Sequence, residues 1–67
     1  MMSLFLPTRW VYIWYEDGCV ENVANTDTLA ADEAKDYKDT WEKARGKKVV
    51  RVTLETQQGN TLKSFTY

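Results

Sequence analysis

Catalysis in a short chain needs a nucleophile, an acid–base group or a metal ion, and this sequence is poor in all three. It contains no His, which removes imidazole acid–base chemistry, a Ser-His-Asp triad and any His metal site. Its single Cys19 leaves neither an internal disulfide nor a multi-Cys zinc site. Cys19 is flanked by Glu16, Asp17 and Glu21, a setting that disfavours a nucleophilic thiolate. Those three carboxylates do not follow the spacing of a Ca²⁺ loop. The expectation is a protein without catalytic residues, metal or cofactor.

Binding chemistry is better supplied. Residues 16–42 carry nine acids and two bases, a net of −7, whereas residues 43–67 carry six bases and one acid, a net of +5. With Arg9 the whole chain is at −1. Such blocks either form opposite poles or neutralise each other within the fold. Asp32, Asp36 and Asp39 recur at spacings of four and three, which places them on one side of a helix. Like charges so placed repel by a few tenths of a kcal/mol per pair, about what a favourable pair gains. They form a candidate surface for a basic partner, such as a nucleic-acid-binding channel. Lys43, Lys47, Lys48 and Arg51 form the opposite candidate, a track for single-stranded nucleic acid. Bases would stack on neighbouring aromatics.

Those aromatics come from residues 9–15, RWVYIWY, the strongest strand signal in the chain. Both alternating sets are apolar: Val11, Ile13 and Tyr15 on one side, Trp10, Tyr12 and Trp14 on the other. Asp17-Gly18 predicts a two-residue type I′ turn, returning into CVENVA with Tyr15 opposite Val20, Trp14 opposite Glu21 and Tyr12 opposite Val23. A helix is predicted over 29–45, with Asp27 or Thr28 as N-cap and Gly46 just past its end. Ala30, Ala34, Tyr37, Trp41 and Ala44 share its core face. In KVVRVTLET, Val50, Val52 and Leu54 alternate with Val49, Arg51, Thr53 and Glu55. Gly59-Asn60 predicts a type II′ turn into TLKSFTY, pairing Leu54 with Phe65 and Val52 with Tyr67.

The order β-β-α-β-β predicts an α+β two-layer sandwich, one helix on a four-stranded antiparallel sheet of order 2-1-3-4. The domain covers 9–67, and residues 1–8 form an apolar arm. One helix covers one sheet face, so one stripe of the first strand is left bare. The β-branched set, joined by Val20, is the expected core, which leaves Trp10, Tyr12 and Trp14 outside. The arm, a protein partner or a second copy of the chain would cover them.

The VENVA strand, the TLAADEAKDYKDTWEKARG helix and the VVRVTLETQQGNTLKSFTY hairpin give the chain a plan that resembles small phage-encoded inhibitors of the anti-CRISPR type. The resemblance covers most of the chain and is one of size and architecture. It implies a non-enzymatic protein that inhibits a host nucleoprotein complex by binding it, in the cytoplasm. The lone thiol fits a reducing compartment, MMSLFLPT lacks a basic leader and stops at Pro7, and no apolar run approaches the roughly 20 residues of a membrane span. Two other classes stay open, a single-stranded nucleic-acid binder and a structural subunit of a homo-oligomer.

Overall fold

The structure, a computed structural model, describes residues 9–67. The apolar arm expected over 1–8 lies outside the described residues. Strands β1 (Arg9–Tyr15) and β2 (Val20–Asn25) precede helix α1 (Ala31–Arg45), and β3 (Val49–Thr56) and β4 (Thr61–Thr66) follow it. All neighbours are antiparallel and the sheet order is β2-β1-β3-β4. This is the expected β-β-α-β-β, α+β arrangement, with α1 laid across β1 and β3. Among the described residues no helix is long and apolar enough to cross a membrane.

The core forms between α1 and one sheet face. Val11, Ile13 and Tyr15 of β1 are buried with Val49, Val52 and Leu54 of β3, and with Leu29 and Ala34. The β-branched side of β1 is therefore the inner one. Val23, Ala24, Tyr37, Trp41, Phe65 and Tyr67 pack around the margin, half-buried. Each large apolar side chain taken fully out of water contributes on the order of 1.5–3 kcal/mol, so β1 and β3 dominate the stabilisation.

Both hairpins turn differently from expectation. Tyr15 N–H donates to the Cys19 carbonyl at 2.9 Å, and the Tyr15 carbonyl accepts from Gly18 N–H at 3.0 Å. The loop therefore has three residues, Glu16-Asp17-Gly18. A type I′ turn would need Asp17 at positive φ, and only glycines adopt positive φ among the described residues. Thr56, Gly59 and Asn60 repeat the pattern, with Thr56 N–H on the Asn60 carbonyl and Gly59 N–H on the Thr56 carbonyl, each at 2.9 Å. Gln57-Gln58-Gly59 thus replaces the type II′ turn. Gly18 and Gly59 both sit at φ 92°, where a Cβ would be strained.

The longer loops shift each register. Trp14 faces Val20 and Ile13 faces Glu21, one residue away from the expected pairs. Tyr12 faces Asn22 rather than Val23 by the same slip, and a bulge that leaves Val23 unpaired then returns Val11 to its expected partner Ala24. Val20 consequently lies beside Trp14 and is 44% exposed rather than in the core. In the second hairpin Val52 faces Phe65 and Leu54 faces Lys63. That is a slip of two residues, which preserves the faces from Lys63 onward, while a bulge that leaves Leu62 unpaired sets Thr61 opposite Glu55.

A further bulge corrects the reading of β3. Trp14 pairs with Arg51 and Tyr15 with Val49, so Val50 has no partner on β1. The extra residue turns Val49 inward, where it is fully buried, while Val50 is only half-buried. Strict alternation predicts these two the other way round.

Helix α1 begins later than expected, after an Ala30 N-cap that offers no side-chain acceptor. Ala30 N–H instead donates to Glu33 Oε1 at 2.8 Å. Leu29 just before the cap and Ala34 in the first turn are both buried in the core, the arrangement of a hydrophobic staple. The staple, rather than Asp27 or Thr28, sets the start. Ala30 and Ala44 prove exposed. The inner stripe runs through Ala34, Tyr37, Lys38, Trp41 and Glu42, whose side chains are buried or half-buried. Gly46 ends the helix in the left-handed region at φ 65°, as expected.

Candidate functional site

Three groups of side chains could meet a partner, and the fold sends them to different sides. The first is the sheet face away from α1. Trp10, Tyr12 and Trp14 stand there in a row, each half-buried. Their β3 neighbours are Glu55, Thr53 and Arg51 in that order. Trp14 is held firmly. Its Nε1–H donates to Thr53 Oγ1 at 2.9 Å, and the Thr53 hydroxyl donates to Glu55 Oε2 at 3.0 Å. Arg51 lies over the Trp14 ring with its guanidinium carbon 4.4 Å from the centroid, a favourable cation–π distance. Thr53 is only 2% exposed. Asn22, Asn25, Ser64 and Thr66 surround the row on the outer strands.

The second group is the acidic side of α1. Asp32, Asp36 and Asp39 are all exposed, but their partners differ. Asp39 pairs with Lys35 at 3.1 Å and Lys38 at 3.5 Å. These contacts, Lys35 first, hold its carboxyl below the ordinary value. Asp32 and Asp36 have no ion-pair partner among the described residues. Asp36 instead joins Glu33, Tyr37, Thr40 and Trp41 along an open cleft of about 470 Å³, closed on the β2 side by Val23. Val23 reaches it because the β2 bulge takes it out of the regular pairing. The cleft therefore combines two carboxylates, a hydroxyl and two aromatic rings.

The third group, the basic residues, does not assemble. Lys47 pairs with Asp17 at 3.1 Å and lies 4.6 Å from the Tyr15 ring centroid. Arg51 is on the sheet face away from α1, while Lys43 and Lys48 are exposed beyond the end of α1's inner stripe. Arg45 reaches back over the Trp41 ring at 5.0 Å to Glu21, which accepts from its Nε at 3.1 Å and also from its Nη2. Glu21 also accepts from the Tyr15 hydroxyl at 2.8 Å. Arg45, then Tyr15, pulls the Glu21 carboxyl below its ordinary value, while burial pushes the Tyr15 hydroxyl up. The acidic hairpin and the basic segment thus tie the end of α1 to β1 and β2, and the two charge blocks partly neutralise each other.

Several of these residues escape sequence reasoning. Glu33, Thr40 and Val23 meet only because α1 crosses beside β2. Thr53 and Glu55 become the supports of Trp14 through the β1–β3 register, which no turn sets because β2 and α1 lie between the two strands. Cys19 is an exposed free thiol at the hairpin, its N–H bound to Asp17 Oδ1 at 2.9 Å. Among the described residues no cluster of His, Cys, Asp and Glu is placed to hold a metal ion. No protein-family model, curated protein or solved structure matches the chain.

Proposed function

We propose that the chain is a non-enzymatic protein-binding module that engages a basic surface of a larger nucleoprotein complex and inhibits or modulates it. The cleft between α1 and β2 carries this reading. Glu33 and Asp36 stand beside Tyr37 and Trp41, and carboxylates beside aromatic faces suit an Arg or Lys side chain. Asp32, one turn earlier on the exposed helix side, extends the acidic surface. This is the use that the resemblance to small phage-encoded inhibitors implies for such a face.

A synthetic Arg-rich peptide tests it, titrated into the isotope-labelled chain. Backbone shifts should concentrate at Asp32, Asp36, Tyr37 and Trp41 and vanish with Asp32→Lys/Asp36→Lys. Asp39→Lys should change little, since Asp39 is already paired. Equal shifts over every acidic residue would refute a specific cleft. The Arg51–Trp14 stack favours one competing reading, a single-stranded nucleic-acid binder. Single-stranded DNA or RNA that quenches Trp fluorescence, with affinity falling steeply as salt is added, would replace the inhibitor by that reading.

A further inference from the structure

The sheet face away from α1 carries an arrangement that the cleft does not explain. β1 and β3 run antiparallel, so Trp14 and Arg51 share one end of the face, Trp10 and Glu55 the other, and Tyr12 and Thr53 the middle. Neither Arg51 nor Glu55 has an ion-pair partner among the described residues. They lie four residues apart on one strand, about 13 Å, and equally far from Thr53.

We propose that this face binds a second copy of the chain across a two-fold axis, closing two open sheets into a four-layer α-β-β-α dimer. An axis lying between the sheets and across the strands at Tyr12 and Thr53 reverses the strand direction and keeps β1 over β1 and β3 over β3. Arg51 of each copy then meets Glu55 of the other, twice. Tyr12 meets its own equivalent, and Trp10 meets Trp14. Aligned sheets pack about 10 Å apart, close enough for these contacts. The face thus complements itself in both charge and apolarity, which an isologous interface requires. Its anatomy also fits: an aromatic centre extended by Val20 beside Trp14, with Asn22, Asn25, Ser64 and Thr66 at the rim. Four strands of six to eight residues present roughly 450 Å² per copy. Two faces together are at the small end of specific interfaces, so the dimer is reversible and dilution dissociates it.

The test is sedimentation equilibrium of the full chain over a wide concentration range. Wild type should pass from monomer to dimer. Arg51→Glu and Glu55→Arg singly should each weaken association by about tenfold or more, because like charges then face each other. The double exchange Arg51→Glu/Glu55→Arg restores both pairs and should recover most of the affinity. Tyr12→Arg, which brings two cations together on the axis, should leave a folded monomer by circular dichroism. A wild-type chain that stays monomeric throughout overturns the proposal, and the face is then covered otherwise. A dimer indifferent to both single charge reversals, or not rescued by the exchange, overturns it equally.

Discussion

Leu29→Ala offers a sharp test of how this small core is held together. Leu29 belongs to no helix or strand, yet it is 1% exposed and among the largest fully buried side chains. It sits immediately before an N-cap with no side-chain acceptor. Truncation removes three carbons from a filled core, at about 0.8 kcal/mol each in transfer. The cavity adds to that loss, giving roughly 3 kcal/mol and staying within the usual Leu→Ala range. Small domains lose about 4–8 °C of Tm per kcal/mol, so a fall of roughly 12–24 °C is expected. A domain of this size has on the order of 3–10 kcal/mol in total, so the variant should be near its limit at room temperature. Thermal and urea unfolding by circular dichroism at low protein concentration measures it without a contribution from association. Leu29→Met should cost less than about 1.5 kcal/mol. Leu62→Ala, at a site 45% exposed, should stay within about 0.5 kcal/mol of wild type. If Leu29→Ala and Leu62→Ala melt alike, the chain before α1 is not anchored by this side chain and the staple argument fails.

Thr53→Val keeps shape but strands the Trp14 indole N–H and Glu55; a loss of about 1–3 kcal/mol and a shifted indole proton resonance are expected, whereas Thr53→Ser should preserve both. Gly18→Ala and Gly59→Ala should each cost about 1 kcal/mol, and by similar amounts, since both glycines share one turn geometry; a clear inequality in urea midpoints would contradict the equivalence. Asp17, Glu21, Asp39 and Glu42 have depressed folded-state pKa values, from 3.8 for the aspartates and 4.5 for the glutamates. Depressed carboxylates stabilise the fold above those values and lose that contribution as pH falls through the folded ones. Urea midpoints should therefore be flat from neutral pH down to about 5 and decline below about 4.5; a midpoint that rises on acidification would reverse the assignment.

The element order, the sheet order and the inner face of β1 were legible from residues alone. RWVYIWY, the 29–45 helical run and VVRVTLET each carry their own periodicity, and a first strand apolar on both sides suits an interior place in the sheet. The turns were less legible. Asp-Gly is compatible with a two- or a three-residue hairpin, and cross-strand partners depend on which forms. The bulges at Val23 and Val50 leave no local mark, since each is a valine in a valine-rich strand. The late start of α1 also defeats a capping rule, because tertiary burial of Leu29 outweighs the local preference for Asp27 or Thr28. At the candidate cleft, Asp36 and Trp41 could be read from helix spacing. Val23 could not, because its place depends on a bulge.

The Val50 bulge has a bearing on how this chain could vary over descent. Insertions and deletions are ordinarily expected in loops, and strand interiors are expected to keep their length. Here Tyr15 already pairs with Val49 and Trp14 with Arg51, so a homologue lacking the residue between them would reach the same pairing without a bulge. Its strand would read Val-Arg-Val-Thr-Leu-Glu, an unbroken inward–outward alternation with Val49 still inside. The main loss would be the Val50 carbonyl that accepts Tyr67 N–H at 2.9 Å, just past the end of β4. Position 50 is thus a point where chain length can change inside a strand while the core stays in frame. Alignments of distant relatives should admit a one-residue gap there.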